Sequence, residues 1–241
     1  MLILEMFFTS ILKKNSDSVG QNFWNYFFVQ NQKIESNIKV LNIRYETFPL
    51  RVWDRHFFRD MHRFGVTNID LRTEIKDEVL NIKKMISSKK TLGVHVRRTD
   101  HRWEIKPAED KVYFNLIEKN IKNFEKLFLA TDDIAVFEMF KMKYGSKLIY
   151  QDCTRSSDPD NSIHHNPENT DGYEIGKQAL LDCYSLSFCE KVILSPSNLS
   201  YSVLLLNPNL KYEIAESFDA KKKRLKTAAV YVFHKWGIRK W

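Results

Sequence analysis

The chain has 241 residues and a formal net charge of +8, from 38 Lys and Arg against 30 Asp and Glu. Hydrophobic residues make up 43% of it, enough for a packed core and too many for a disordered chain. No apolar run approaches the ~20 residues a membrane-spanning helix needs. Three cysteines, Cys153, Cys183 and Cys189, are odd in number and lack metal-ligand spacing. They argue against a disulfide framework and point to a reducing compartment. The positive surplus favours anionic partners such as nucleotide phosphates or an anionic membrane.

In chain order, residues 1–14 (MLILEMFFTSILKK) are apolar but carry Glu5, with no basic region ahead of the run and no small-residue cleavage site. They read as an element of the fold and not as a signal peptide. A strand is expected over 40–44, and helices over 53–64 and 73–87. From residue 90 the rhythm is regular. Strands are expected at 90–97, 126–130, 147–151, 191–194 and 211–215. Between them lie helices at 109–124, 134–144, 173–188 and 199–206, and a Ser/Asp/Asn/Pro loop at 153–171. Alternating strands and helices predict an α/β fold with a parallel sheet covered on both faces. Such sheets bind ligands beyond the carboxyl ends of their strands. Residues 221–241 form a basic, aromatic tail. It reads either as a segment lying on an anionic membrane with Trp at the interface, or as a solvated terminal helix docked by one face. No nucleic-acid-binding signature accompanies the charge, so no nucleic-acid partner is expected.

The strand TLGVHVRRTD carries the first chemistry. Alternation puts Leu92, Val94 and Val96 on one side, and Gly93, His95 and Arg97 on the other. His95 and Arg97 then emerge together near the carboxyl end of a buried strand, where each needs a partner. A phosphate satisfies both, since the guanidinium fork matches two phosphate oxygens. The competing reading is an internal Arg97–carboxylate pair beside a satisfied core histidine. The second strand ends in Thr131-Asp132-Asp133, where at least one aspartate is expected to cap the next helix. Asp182 lies in an apolar helical stretch (ALLDCYSL). Its carboxylate wants two adjacent donors, which guanine offers and uracil does not; the alternative is a partly exposed helix carboxylate. In SPSNLS, the residues Ser195, Ser197, Asn198 and Ser200 stand where a strand enters a helix, a natural anion site. Asp158-Pro159-Asp160 reads as a turn and not as a metal-binding D-x-D. His164-His165 makes a poor metal pair. Asn198-Leu199-Ser200 is a formal glycosylation sequon without secretory context. Neither a dinucleotide fingerprint nor a P-loop occurs, and no metal site is expected.

Three segments in order, HVRRTD (95–100), LATDD (129–133) and ALLDCYSLSFCEKVILSPSNLS (179–200), resemble the motifs of the fucosyltransferase superfamily. That group holds the α-1,6, nodulation-type and α-1,2 enzymes. The resemblance covers about residues 91–215. It implies a GT-B-like fold: a Rossmann-type donor domain at 89–220, a short, reduced N-terminal α/β region at 1–88 on the acceptor side, and the tail at 221–241. It implies metal-independent, inverting transfer of fucose from GDP-fucose to a glycan hydroxyl, with no cofactor beyond that donor substrate. His95, Arg97 and, by position, Arg98 fall on the donor pyrophosphate. Asp182 falls on guanine, Ser197 and Asn198 on the second phosphate contact with Ser195 beside them, and Asp132 and Asp133 on a pair needed for activity. The leaving phosphate needs a cation, for which Arg97 is the natural choice, and the acceptor needs a base, for which Glu104 and Asp100 both qualify. The expected setting is surface-polysaccharide synthesis at the cytoplasmic face of a membrane, with a Golgi lumen as the alternative. A non-catalytic GDP-sugar- or glycan-binding relative, or a transferase using another GDP-sugar, are the competing functions.

Overall fold

The computed structural model describes residues 28–29, 53–64, 66, 70–99, 106–158 and 172–236. The expected strand at 40–44, the N-terminal apolar run, Asp100, Glu104, Pro159, Asp160, His164 and His165 lie outside them.

The elements are β1 (Phe28–Val29), α1 (Arg55–Phe64), β2 (Asp70–Leu71), α2 (Thr73–Ser87), β3 (Thr91–Val96), α3 (Asp110–Asn120), β4 (Lys126–Thr131), α4 (Ile134–Tyr144), β5 (Leu148–Tyr150), α5 (Gly172–Ser187), β6 (Lys191–Leu194), α6 (Asn198–Leu206), β7 (Lys211–Ile214) and α7 (Phe218–Lys235). Strands β3 to β7 form a five-stranded sheet in the order β5-β4-β3-β6-β7, and every pairing is parallel. The chain steps outward from β3 through β4 to β5, then crosses back to lay β6 on the other side of β3. The carboxyl ends of β3 and β6 therefore flank the place where the winding direction reverses, which is where open parallel sheets leave a ligand crevice.

Helices cover both faces, as a parallel sheet requires. Leu92, Val94, Val96, Leu127, Leu129 and Ile193 pack against α3 and α4 through Tyr113, Ile117, Val136 and Phe140. Phe128, Ala130, Val192 and Leu194 face the opposite way, onto α1, α2, α5 and α6. Phe58 of α1 and Ile75, Val79, Ile82 and Ile86 of α2 thus share one core with the sheet. The alternation expected for β3 holds. Its Gly93 sits on the α5 side, where an added Cβ would meet Val192 Cγ1 at 2.8 Å and Cys189 Sγ at 2.9 Å. A side chain there would collide with the helix–sheet contact, so glycine is what lets β3 and α5 approach.

The helix expected from residue 109 gives way after Asn120 to a 3-10 turn at Ile121–Asn123. Strand β1 pairs antiparallel with β2 in a small separate sheet. The C-terminal segment is a helix over most of its length, and α7 starts three residues before the tail boundary drawn from charge.

Candidate functional site

The site is built where β3, β4 and β6 end. The Asp132 carboxylate, just past β4, collects this edge. One oxygen takes the Arg97 Nη1 at 2.9 Å and the Thr99 hydroxyl. The other accepts the Arg98 backbone N–H at 2.9 Å. The turn out of β3 is tight enough to hold Thr99 at a φ of 28°, a left-handed value that a β-branched residue adopts only when its surroundings enforce it. Asp132 supplies that enforcement. The internal Arg97–carboxylate pair set out as the competing reading is therefore real. It does not seal the residue, because the Arg97 side chain stays 21% exposed.

Ser195, at the end of β6, ties the two strands at the reversal point. Its hydroxyl donates to the His95 carbonyl at 2.9 Å and accepts the Arg97 backbone N–H at 2.9 Å. It also lies 2.6 Å from the Tyr113 hydroxyl of α3. Both lone pairs and the proton are then used, so Ser195 positions Arg97 instead of reaching outward. Tyr113 is buried, which pushes its phenol up to about 12 and keeps it a neutral donor.

His95 is 4% exposed, and its Nδ1 lies 2.8 Å from the Ser200 hydroxyl. Ser197 is the N-cap of α6 and accepts the Ser200 backbone N–H at 3.3 Å. Its hydroxyl also donates to the Ser200 hydroxyl at 3.3 Å. The Ser200 hydroxyl has both a proton and a second lone pair to offer Nδ1, so the direction of this bond follows the tautomer of the ring. Asn198 opens α6, and its carbonyl accepts from Ser202. The Arg97 guanidinium is thus held on the β4 side of the β3 end by Asp132, and the His95 imidazole on the β6 side by Ser200 of α6.

Other expected residues take different parts. Asp133 caps α4, its side chain accepting from Ala135 N at 2.7 Å and Val136 N at 3.2 Å. Arg98 turns to the start of α3, where its guanidinium donates to the Ala108 carbonyl at 2.6 Å, pairs with Asp110, and lies over the Tyr113 ring.

Asp182 is buried on α5, 8% exposed, and its Oδ1 has no hydrogen-bond partner among the described residues. This corrects the alternative of a partly exposed helix carboxylate. Burial pushes the carboxyl up to about 7, against the opposing pull of the Arg155 guanidinium. Arg155 comes from the segment after β5. That segment lies along the end of β4, with Ser156 N bonded to the Asp132 carbonyl at 2.8 Å and Ile134 N to the Ser156 carbonyl at 3.0 Å. It carries Arg155 to the same rim of the sheet. Arg155 lies 4.1 Å from the Phe137 ring centroid, and its buried Nε also has no hydrogen-bond partner among the described residues. Cys153, beside them, has its thiol pushed up to about 12 by burial and then by the Asp182 charge. A buried acceptor without a partner is a rare feature, and it suits a ligand that brings donors.

Three residues here escape a reading of the sequence. Tyr113 sits within an ordinary amphipathic helix pattern, and only the need of a buried phenol for a partner signals it. Thr99 lies within a strand-exit motif that highlights its charged neighbours. Arg155 stands in a Ser/Asp/Pro segment that carries no pattern.

This geometry can be set beside known proteins. The chain is similar to several solved fucosyltransferase structures. The chain is similar to NodZ alpha-1,6-fucosyltransferase co-crystallised with GDP at 25% identity and a TM-score of 0.42, covering 60% of this chain and 45% of that one. Fucosyltransferase NodZ from Bradyrhizobium matches at 25% identity and a TM-score of 0.42, over 61% and 47%. NodZ soaked with GDP-fucose matches at 18% identity and a TM-score of 0.49, over 85% and 86%. In the first two alignments the chain spans less than half the length of the protein it matches. No family model matches the sequence, and no curated protein matches it.

Proposed function

We propose that this protein is a glycosyltransferase that moves fucose from GDP-fucose to a glycan hydroxyl, inverting the anomeric centre without a metal, in surface-polysaccharide synthesis at the cytoplasmic face of a membrane. The observation that carries the reading is the reversal of winding between β3 and β6, with Arg97 held partly exposed at the end of β3 and the Ser197-capped start of α6 following β6. A guanidinium and a helix N-terminus are the kinds of group that bind a diphosphate.

The donor diphosphate sits at this crevice. Arg97 binds its oxygens, and the His95 ring and the first turn of α6 add donors. The acceptor hydroxyl oxygen attacks the anomeric carbon from the face opposite the phosphate. The bond from that carbon to the phosphate oxygen breaks, and GDP leaves with the electron pair. Negative charge grows on the leaving phosphate, and Arg97, fixed beforehand by Asp132 and Ser195, meets it without reorganisation. Asp100 or Glu104 takes the hydroxyl proton. Asp182 receives the two adjacent guanine donors, which fill its unpartnered oxygen.

The test offers purified protein a panel of nucleotide sugars and measures released nucleoside diphosphate. GDP release from GDP-fucose, unchanged by EDTA, is the expected result. Release from UDP-sugars alone refutes it. A second reading, a non-catalytic GDP-sugar binder, draws on the Arg97–Asp132 pair, which already partly neutralises the guanidinium. Tight GDP binding with no turnover of any GDP-sugar would establish that one.

A further inference from the structure

The charge of this molecule is unevenly placed. From residue 218 to the end, eight Lys and Arg face one Asp, so this segment holds seven of the chain's eight net positive charges. Most of it is the helix α7. At 100° per residue, Phe218, Leu225, Ala229, Val232, Phe233 and Trp236 fall within an arc of about 100° on that helix. The opposite side faces the body: Ala220 is buried, and Arg224 is held by both oxygens of Glu216, at 2.9 Å and 2.7 Å. The apolar arc turns outward. Phe218 is 81% exposed and Trp236 69%, with Leu225, Val232 and Phe233 also exposed. Lys221 and Lys226 border the arc, Lys222 lies within it, and all three are exposed.

We infer that this outward face of α7 is a docking surface for an anionic lipid bilayer. The inference rests on exposure and charge, and it is independent of the donor reading. A helix that hides its apolar stripe from water turns it inward; this one already has a buried side and still presents Leu225, Val232, Phe233 and Trp236 outward. The lysines along the stripe decide the occupant. An anionic surface attracts them while the apolar residues enter the acyl boundary, and Trp236 suits the headgroup level. RNA offers the charge and base faces for Phe233 and Trp236, but nothing for the aliphatic Leu225 and Val232. An uncharged groove on another protein offers the reverse.

The experiment uses the full chain and phosphatidylcholine vesicles, with and without phosphatidylglycerol, in a sedimentation assay. The protein is expected to sediment with the mixed vesicles, to stay in solution with pure phosphatidylcholine, and to be released by high salt. The triple variant Lys221→Gln, Lys222→Gln, Lys226→Gln should lose on the order of a hundredfold in partitioning, at about fivefold per lysine. The double variant Leu225→Gln, Trp236→Gln should lose roughly tenfold or more. All five positions are exposed, so both variants should melt like the wild type, and wild-type melting is required for the comparison. The inference is overturned if the wild type ignores anionic vesicles, or if neither variant weakens binding. It is also overturned if the chain is instead a dimer in solution that Leu225→Gln and Trp236→Gln dissociate, or if RNA binding disappears with the lysines while vesicle binding is absent.

Discussion

Asp132 does the work of three hydrogen bonds with one carboxylate, and it fixes Arg97, Arg98 and Thr99 in one arrangement. Removing the charge and keeping the shape, as in Asp132→Asn, should lower kcat/KM by roughly tenfold or more, because Arg97 loses its brace while the sheet stays intact. Arg97→Ala should cost about 10² to 10³ in kcat with an unchanged melting curve, the scale of losing one preorganised charge stabiliser. Lysine at 97 should not restore activity, since a point charge lacks the planar fork. Asp182 gives a pH signature. Its carboxyl stands near 7 in the folded protein against 3.8 ordinarily. Between those values the folded state holds a proton that the unfolded chain has released, so this group lowers stability as pH rises through the window, by on the order of a few kcal/mol. Asp182→Asn should therefore flatten the stability profile between about pH 4 and 7. Guanine recognition asks for the ionised form, so GDP affinity measured by calorimetry should rise as pH passes upward through about 7. A flat affinity profile would remove the guanine role of Asp182.

The elements from residue 90 onward are legible because each follows one period cleanly. The strand KVIL and the helix Ile134–Tyr144 stand where alternation and spacing place them. The pair β1–β2 is not legible: two-residue strands carry no alternation, and the partners stand far apart in the sequence. Within the site, the residues on strand ends were readable from facing rules, whereas Arg155 was not. A loop residue brought in by one short parallel bridge between Asp133 and Ser156 leaves no periodic trace. The capping expected of at least one aspartate in Thr131-Asp132-Asp133 holds, while Asp132 braces the turn out of β3. Asp133 caps its helix, and Asp133→Ala should cost about 1 kcal/mol with little effect on donor binding. Gly93→Ala tests the β3–α5 contact. The new methyl would crowd Val192, whose branched side chain has little room to turn. The expected loss is about 1–3 kcal/mol, read as a lower melting temperature.

At the scale of the whole molecule, the reversal of winding between β3 and β6 marks the proposed ligand position, and the charge sits elsewhere, on α7. The body of the protein, residues 1–217, is close to electroneutral by sequence. Nucleotide recognition must therefore come from local geometry at the rim and not from a broad positive field. Saturating GDP should raise the melting temperature, by about 2.7 kcal/mol of stabilisation at a hundredfold excess over Kd, and UDP should not; equal shifts would mean the base is not read. The single hydroxyl of Ser195, clasped between His95, Arg97 and Tyr113, has a further consequence. It rivets neighbouring strands at the proposed entry point, so their ends cannot part or close without breaking several bonds at once. Selection among visitors is then cast into the rigid frame before any encounter, more like a lock cut in steel than a hand that closes.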